Sequence, residues 1–230
     1  MHDFNGQLLP VKVSHRAKTR IYLRLRQRTL YISTPKHVTT AQLRAFLHSH
    51  ANFIARSLNS PNTAATQLPQ TLYYLGQALP LLAHTDPDAP SSIDLEQNCI
   101  WLSQALQNQP LSTQKAALRQ LYREHAQAYL PPQLHHISLG LPKQPSSIKL
   151  SNARGTWGTC KSDGTIRLNW RLMGAPTAVI HYVCVHELCH LVHLNHSPAF
   201  WQLVATYAPN VQAAKAWLKQ HQLALFSLDD

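Results

Sequence analysis

The spacing of hydrophobic positions along this chain changes period several times, and each change predicts an element. Residues 20–26 alternate with a period of two: Ile21, Leu23 and Leu25 face one way, and Arg20, Tyr22, Arg24 and Arg26 the other. Residues 30–33 read as the antiparallel partner of that strand, stopped near Pro35. Thr39 or Thr40 can cap a helix running to about Leu58, with Leu43, Leu47, Ile54 and Leu58 at helical spacing. Residues 59–70 are polar, contain proline and read as a loop. Residues 72–82 and 93–102 read as two strands joined by a loop holding Pro87 and Pro90.

A long helix follows, capped near Ser112 or Thr113 and stopped by Pro131 and Pro132. Leu118, Leu121, Tyr122, His125 and Tyr129 supply one of its faces. Strands over 147–151 and 165–170 lie around a turn at Trp157-Gly158. Pro176 suits the first turn of a helix that runs to about Leu194. Ser197-Pro198 is a cap followed by a first-turn proline, so a second helix runs from there to about Tyr207. A third starts at Pro209 and ends near Leu223. The pattern predicts an α+β protein, with a β-rich region containing one helix over 1–110 and a helix-rich region over 111–230.

Composition adds three constraints. No apolar run reaches the ~18 residues of a membrane span, and the first residues lack the basic and apolar regions of a signal peptide, so the expected location is the cytoplasm. The four cysteines, Cys99, Cys160, Cys184 and Cys189, form no C-x-x-C pair and read mostly as small buried hydrophobes. The net charge of +11 is concentrated at the start: residues 1–60 hold ten Lys or Arg against one acid, Asp3, which is 10 − 1 = +9. Arg20, Tyr22, Arg24 and Arg26 therefore form a basic strip with an aromatic inside it. One reading is a nucleic-acid (DNA phosphate) surface; the other is a charged outer strand face that discourages edge pairing.

The chemistry is concentrated in His186-Glu187-Leu188-Cys189-His190. Two histidines four residues apart project from one helix face, and their nitrogens can converge on one Zn2+ at about 2.0–2.1 Å. Glu187 sits about 100° round the helix from His186, where it can take a proton from a zinc-polarised water as general base. A third ligand is required. The only acids after His190 are Asp229 and Asp230, at the end of the sequence, which disfavours a carboxylate ligand. His193 lies about 10.5 Å along the helix from His186, too far to share an ion easily on a straight helix. His196 follows the expected helix end, where Asn195 can take a left-handed turn and send the chain back, so His196 is favoured over His193. Cys189 points away from this face and reads as core. Three protein ligands leave a fourth position open, as a catalytic site requires.

Trp157-Gly158-Thr159-Cys160, residues 166–172, residues 181–190, Asn195-His196-Ser197 and Phe200-Trp201 together resemble the YgjP-like metallopeptidase family, a zincin-like bacterial group related to the SprT-like and WLM proteases. The resemblance is close over 147–201 and weaker in the Arg-rich hairpin and around Gly76. It implies a zincin-like metallopeptidase region with His186, His190 and His196 as ligands and Glu187 as base. It also implies that the strand around Leu168 and Asn169 edges the substrate cleft. One departure is Thr156, where the family usually has Arg before the Trp-Gly pair; here Arg154 lies two residues earlier. Trp157 reads as core or as substrate contact, and Cys160 as a thiol near the zinc. Arg154 and Tyr182 are candidate transition-state donors.

The expected function is peptide-bond hydrolysis with a metal-activated water, acting on a protein or peptide substrate. The alternatives are a nucleic-acid-binding protein with a structural or vestigial zinc site and a zinc hydrolase of non-peptide amides.

Overall fold

A computed structural model describes residues 2–4, 7–17, 19–26, 29–51, 54–55 and 67–229, with 2–4, 7–8 and 25–26 described by their backbone alone. The chain forms two compact units, 1–66 and 67–230. The division falls at 66/67, whereas the sequence suggested 110. The strands of 71–102 share their core with the helices that follow them, so hydrophobic contact assigns them to the second unit.

In the first unit, β1 (His2–Phe4) pairs with β2 (Gln7–Leu9). A separate sheet has the order β3-β5-β4, from β3 (Val11–Ser14), β4 (Tyr22–Arg26) and β5 (Thr29–Ser33). The expected antiparallel hairpin is β4–β5, with Leu23 opposite Ile32 and Arg24 opposite Tyr31. β3 was not foreseen and pairs parallel to β5. Helix α1 (Thr40–Ser49) starts at Thr39 with a capping box, the Thr39 hydroxyl accepting from Gln42 N–H at 3.2 Å and Gln42 Oε1 accepting from Thr39 N–H at 2.9 Å. Ile54 N–H donates to His50 O at 3.0 Å, a helical spacing; Leu58, the expected helix end, lies outside the described residues. Leu9, Leu30, Ile32, Leu47 and Ile54 form a small core of their own.

In the second unit, each long strand expected from the sequence is a hairpin. Residues 72–82 divide into β6 (Thr71–Tyr74) and β7 (Gln77–Ala83) around Leu75 and Gly76, both at positive φ (46° and 86°). The N–H groups of this turn donate to Met173 O (2.7 Å) and Gly174 O (3.1 Å), and a β-carbon at Gly76 would lie 2.7 Å from Pro176 Cγ. The turn is thus fixed by the entry to the site helix, a contact invisible in local sequence. Residues 93–102 divide into β8 (Ser92–Asp94) and β9 (Cys99–Leu102), with Asp94 Oδ1 accepting from Glu96 and Gln97 N–H at 2.9 Å each. The sheet order is β6-β7-β9-β8.

After the short α2 (Gln104–Gln107), helix α3 spans Leu111–Ser138. It is preceded by Pro110 rather than capped at Ser112 or Thr113, and it continues through Pro131 and Pro132 instead of stopping there. Its buried stripe, Leu118, Tyr122, Ala126, Leu130 and Leu134, repeats every four residues across the prolines, which lie off that stripe. An interior proline costs about 3 kcal/mol or more; burying Leu130, Leu134 and Leu141 offsets it at about 2 kcal/mol each.

A three-stranded sheet β10-β12-β11 follows, from β10 (Ser147–Ser151), β11 (Gly158–Cys160) and β12 (Thr165–Asn169). β10 runs parallel and β11 antiparallel to the central β12. Gly158, read as part of a turn, opens β11. After a 3-10 turn (Trp170–Gly174) come α4 (Thr177–Cys189), α5 (Pro198–Tyr207) and α6 (Val211–Leu225). α4 packs against α3, α5, α6 and β11. It is apolar on nearly every side, with Val179, Ile180, Tyr182, Val183, Cys184, Val185, Leu188 and Cys189 buried, as expected of a helix in a core. Cys99, Cys184 and Cys189 are buried free thiols. Among the described residues no helix is long and apolar enough to cross a membrane.

The end of the chain is tied down by charge. Arg171, 3% exposed, donates to Asp229 Oδ1 through Nε (3.2 Å) and Nη2, and its guanidinium lies 4.3 Å from the Trp170 ring centroid and 4.6 Å from that of Phe226. Arg119 Nη1 donates to Leu228 O at 2.7 Å. Removing one partner of a buried pair strands the other. Asp229→Ala should therefore destabilise the protein by about 3 kcal/mol in urea unfolding; a change under ~1 kcal/mol would mean the tail is not held by this pair.

Candidate metal centre

The site is built where α4 leaves the core. The helix ends at Cys189 with His190 as its C-cap, earlier than the expected Leu194, which is 80% exposed and has nothing to pack against. Tight turns replace it: Leu191 N–H donates to Leu188 O (3.0 Å) and Val192 N–H to Cys189 O (3.1 Å). Asn195 is not at positive φ, so the reversal is made by this run of turns and not by a left-handed residue at 195. Ser197 then caps α5, its hydroxyl accepting from Phe200 N–H at 3.3 Å, and Pro198 sits in the first turn as the sequence indicates.

This reversal brings His196 back to the face carrying His186 and His190. One ring nitrogen from each lies within 4.8 Å of the others. His193 is outside the cluster, and its carbonyl oxygen instead meets His190 Nδ1 at 3.0 Å. A proton on His190 Nδ1 donated to that carbonyl leaves Nε2 with its lone pair free. His186 Nε2 and His196 Nε2 stand 3.2 Å apart. Two nitrogens bound to one tetrahedral ion at about 2.0–2.1 Å would be about 3.3 Å apart. His186 Nδ1 is buried without a hydrogen-bond partner. The donor set of three imidazoles with no thiolate or carboxylate suits a divalent transition metal rather than magnesium or calcium. The residues present therefore fit a metal ion.

An aromatic floor supports the rings. Phe200, fully buried, stacks on His190 with centroids 4.5 Å apart and meets His186 edge-on at 5.0 Å. Trp201 stacks on His196 at 5.4 Å. Burial, followed by the neighbouring His190 and His196, lowers the His186 pKa to about 4, and burial also lowers that of His190. Both are then neutral at physiological pH, as a ligand must be.

Glu187 is 5% exposed, and burial pushes its carboxyl up to about 7. Its side chain lies against β11: a β-carbon at Gly158 would fall 2.5 Å from Glu187 Cγ and 2.6 Å from Oε1. Gly158 is thus the cradle of the carboxylate, a role the sequence did not reveal beyond the Trp-Gly pair itself. Cys160, at the end of β11, is half-buried outside the histidine cluster, its thiol raised to about 11 by burial and then by Glu187. Tyr182 is buried, its hydroxyl raised to about 12 by the same two causes, and its ring lies 5.9 Å from that of His186. Arg154 is ion-paired with Asp229 at 3.3 Å. Trp157 packs edge-on against Phe226 at 5.5 Å, a core contact.

Leu168 and Asn169 are both 0% exposed and lie on the central strand β12. Asn169 works internally: Nδ2 donates to Ala153 O (2.7 Å) and Thr156 O (3.1 Å), and Oδ1 accepts from Arg171. The sheet's edge strands are β10 and β11, and β11 is the one packed against α4. Arg20, Tyr22 and Arg24 belong to the other compact unit and are exposed, while the Arg26 side chain lies outside the described residues.

Three imidazoles, from the end of α4 and the connection that follows it, lie close to the buried Glu187 carboxyl of that helix and define a candidate metal centre. Residues 19–221 match the family of YgjP-like metallopeptidase domains, and the chain belongs to that family. No curated protein and no solved structure matches it.

The cluster should take up one equivalent of zinc. His196→Ala should weaken it at least about 100-fold in a chelator-competition titration, while His193→Ala should leave it within a few-fold, because only the His193 backbone is engaged. Equal losses in the two variants would remove His196 from the ligand set.

Proposed function

We propose that the protein is a zinc-dependent peptidase in which Glu187 is the general base. The observation that carries this reading is the Glu187 carboxyl, buried against Gly158 and adjacent in sequence to the first histidine of the cluster. A site that only stabilised structure would have no use for a buried acid at that position.

His186, His190 and His196 would hold the ion, which when bound acts as a Lewis acid on a water and on the scissile carbonyl. Glu187 takes the proton of the attacking water on a carboxylate oxygen and hands it to the leaving amine nitrogen as the C–N bond breaks. Its dry surroundings raise its proton affinity above that of a solvated glutamate, which favours the uptake step. Gly158 keeps the carboxyl pressed against the backbone of β11. The outer edge of β11 is the position where an extended peptide would add as a further strand, with main-chain hydrogen bonds giving affinity and side-chain pockets giving selectivity. The substrate is accordingly read as an extended or unfolded stretch of polypeptide.

Zinc content and casein hydrolysis should be measured side by side. Glu187→Gln should keep its zinc and lose hydrolysis by about 100-fold or more; activity surviving in that variant would overturn the mechanism. Gly158→Ala should likewise retain zinc and a near-normal melting temperature, yet lose about 100-fold in kcat as the added methyl displaces the carboxylate.

A further inference from the structure

The open face of the β3-β5-β4 sheet carries features that neither the metal centre nor the protection of a strand edge explains. One face of this sheet is closed: Leu30 and Ile32 of β5 are buried with Leu47 and Ile54. The other face carries Tyr31 on the central strand, flanked in register by Lys12 on one side and Arg24 on the other. One pair along, Ser33 is flanked by Ser14 and Tyr22. Tyr22 is 57% and Tyr31 40% exposed. Tyr22, Arg24, Tyr31 and Ser33, together with Arg16 and Ala17, line a groove of about 550 Å³. Lys12 Nζ lies 5.7 Å from the Tyr31 ring centroid. No acidic residue occurs between Asp3 and Asp86, so no carboxylate of that stretch offsets the charge.

Charge on the outer strands is what edge protection requires. Two exposed aromatic rings, one of them on the central strand, are not. A purely solvated face would carry short polar side chains there, since an exposed ring costs hydration and gains nothing. Rings open on one side, with cations around them and no anions, match a polyanion that also has flat, apolar faces. A nucleic acid strand with unpaired bases is such a ligand: the bases stack on tyrosine and the phosphates meet Lys and Arg. In a duplex both faces of each base are already stacked, so only the phosphates would be satisfied. Tyr22 and Tyr31 are diagonal neighbours on adjacent strands, about 7–8 Å apart, a step that adjoining nucleotides of an extended strand can bridge.

We infer that the open face of the N-terminal sheet, with Tyr22 and Tyr31 as stacking platforms and Lys12, Arg16 and Arg24 as phosphate contacts, is a binding site for single-stranded nucleic acid. This surface is independent of the peptidase reading. It sharpens the basic strip seen in the sequence by adding β3, β5 and Arg16 and by selecting unpaired strands over duplex.

The test is fluorescence anisotropy of the full chain with labelled 15-nucleotide oligo-dT, oligo-rU and a duplex of equal length at ~50 mM salt, and with anionic phosphatidylserine vesicles. The single strands should bind more tightly than duplex; tighter binding of dT or of rU identifies the source as DNA or RNA, and either supports the site. Tyr22→Ala and Tyr31→Ala should each weaken binding by about five-fold or more, while Tyr31→Phe retains it. Arg24→Ala should reduce the slope of log K against log salt by about 0.7. The proposal fails if single strands do not bind, if duplex binds as tightly, if vesicles are bound in place of oligonucleotides, or if both alanine variants, with unchanged circular dichroism, bind like the parent.

Discussion

Burial of the Glu187 carboxyl is the constraint around which the second unit of this protein is arranged. An acid at 5% exposure is costly to ionise, and its pKa, raised to about 7, measures that cost. Helix α4 accepts it because the rest of the helix is apolar on nearly every side and locked between α3, α5, α6 and β11. The carboxylate cannot swing out to solvent without leaving Gly158, and Gly158 cannot gain a side chain without displacing it. The strand, the glycine and the helix therefore act as one rigid seat, which is the kind of support a positioned base requires.

The histidines depend on a different feature, the premature end of that helix. Had α4 continued to Leu194, His196 could not have returned to the His186 face. The turns at 191–193 cost helical hydrogen bonds, and part of that loss is recovered where His190 Nδ1 meets the His193 carbonyl. Ser197 and Pro198 then restart the chain as α5, and Phe200 slides beneath the rings. The same run of turns that breaks the helix also brings a carbonyl oxygen to His190 Nδ1.

What the sequence made legible and what it hid divide along physical lines. His186, Glu187 and His190 are spaced by helix geometry alone, and Ser197-Pro198 is a local signal, so both could be read directly. The choice of His196 followed from chain reversal, although the means of reversal is the run of turns and not Asn195. Signals that depend on distant partners were not readable. The turn at Leu75-Gly76 lacks the usual Asn-Gly signature and is held by Met173 and Gly174 about a hundred residues away. Pro131 and Pro132 look like stops until the buried stripe of α3 is seen to continue past them. Leu168 and Asn169 sit beside the edge strand without being part of it, a distinction that only sheet order supplies. The parallel β3 could not be inferred from its four residues.

The scarcity of acids, ten in 230 residues, shapes both units in different ways. In the second unit it leaves the histidine cluster without a carboxylate ligand. Neutral imidazoles would leave the charge of a bound dication uncancelled, and with it the ion's polarising power. Asp229, one of the two acids after His190, is engaged with Arg171 and Arg154. In the first unit the same scarcity leaves the sheet's cations without internal partners among the acids of that stretch. Basic side chains and exposed tyrosines thus share one face of that sheet with no acid from the same stretch beside them, which is the combination the nucleic-acid proposal rests on.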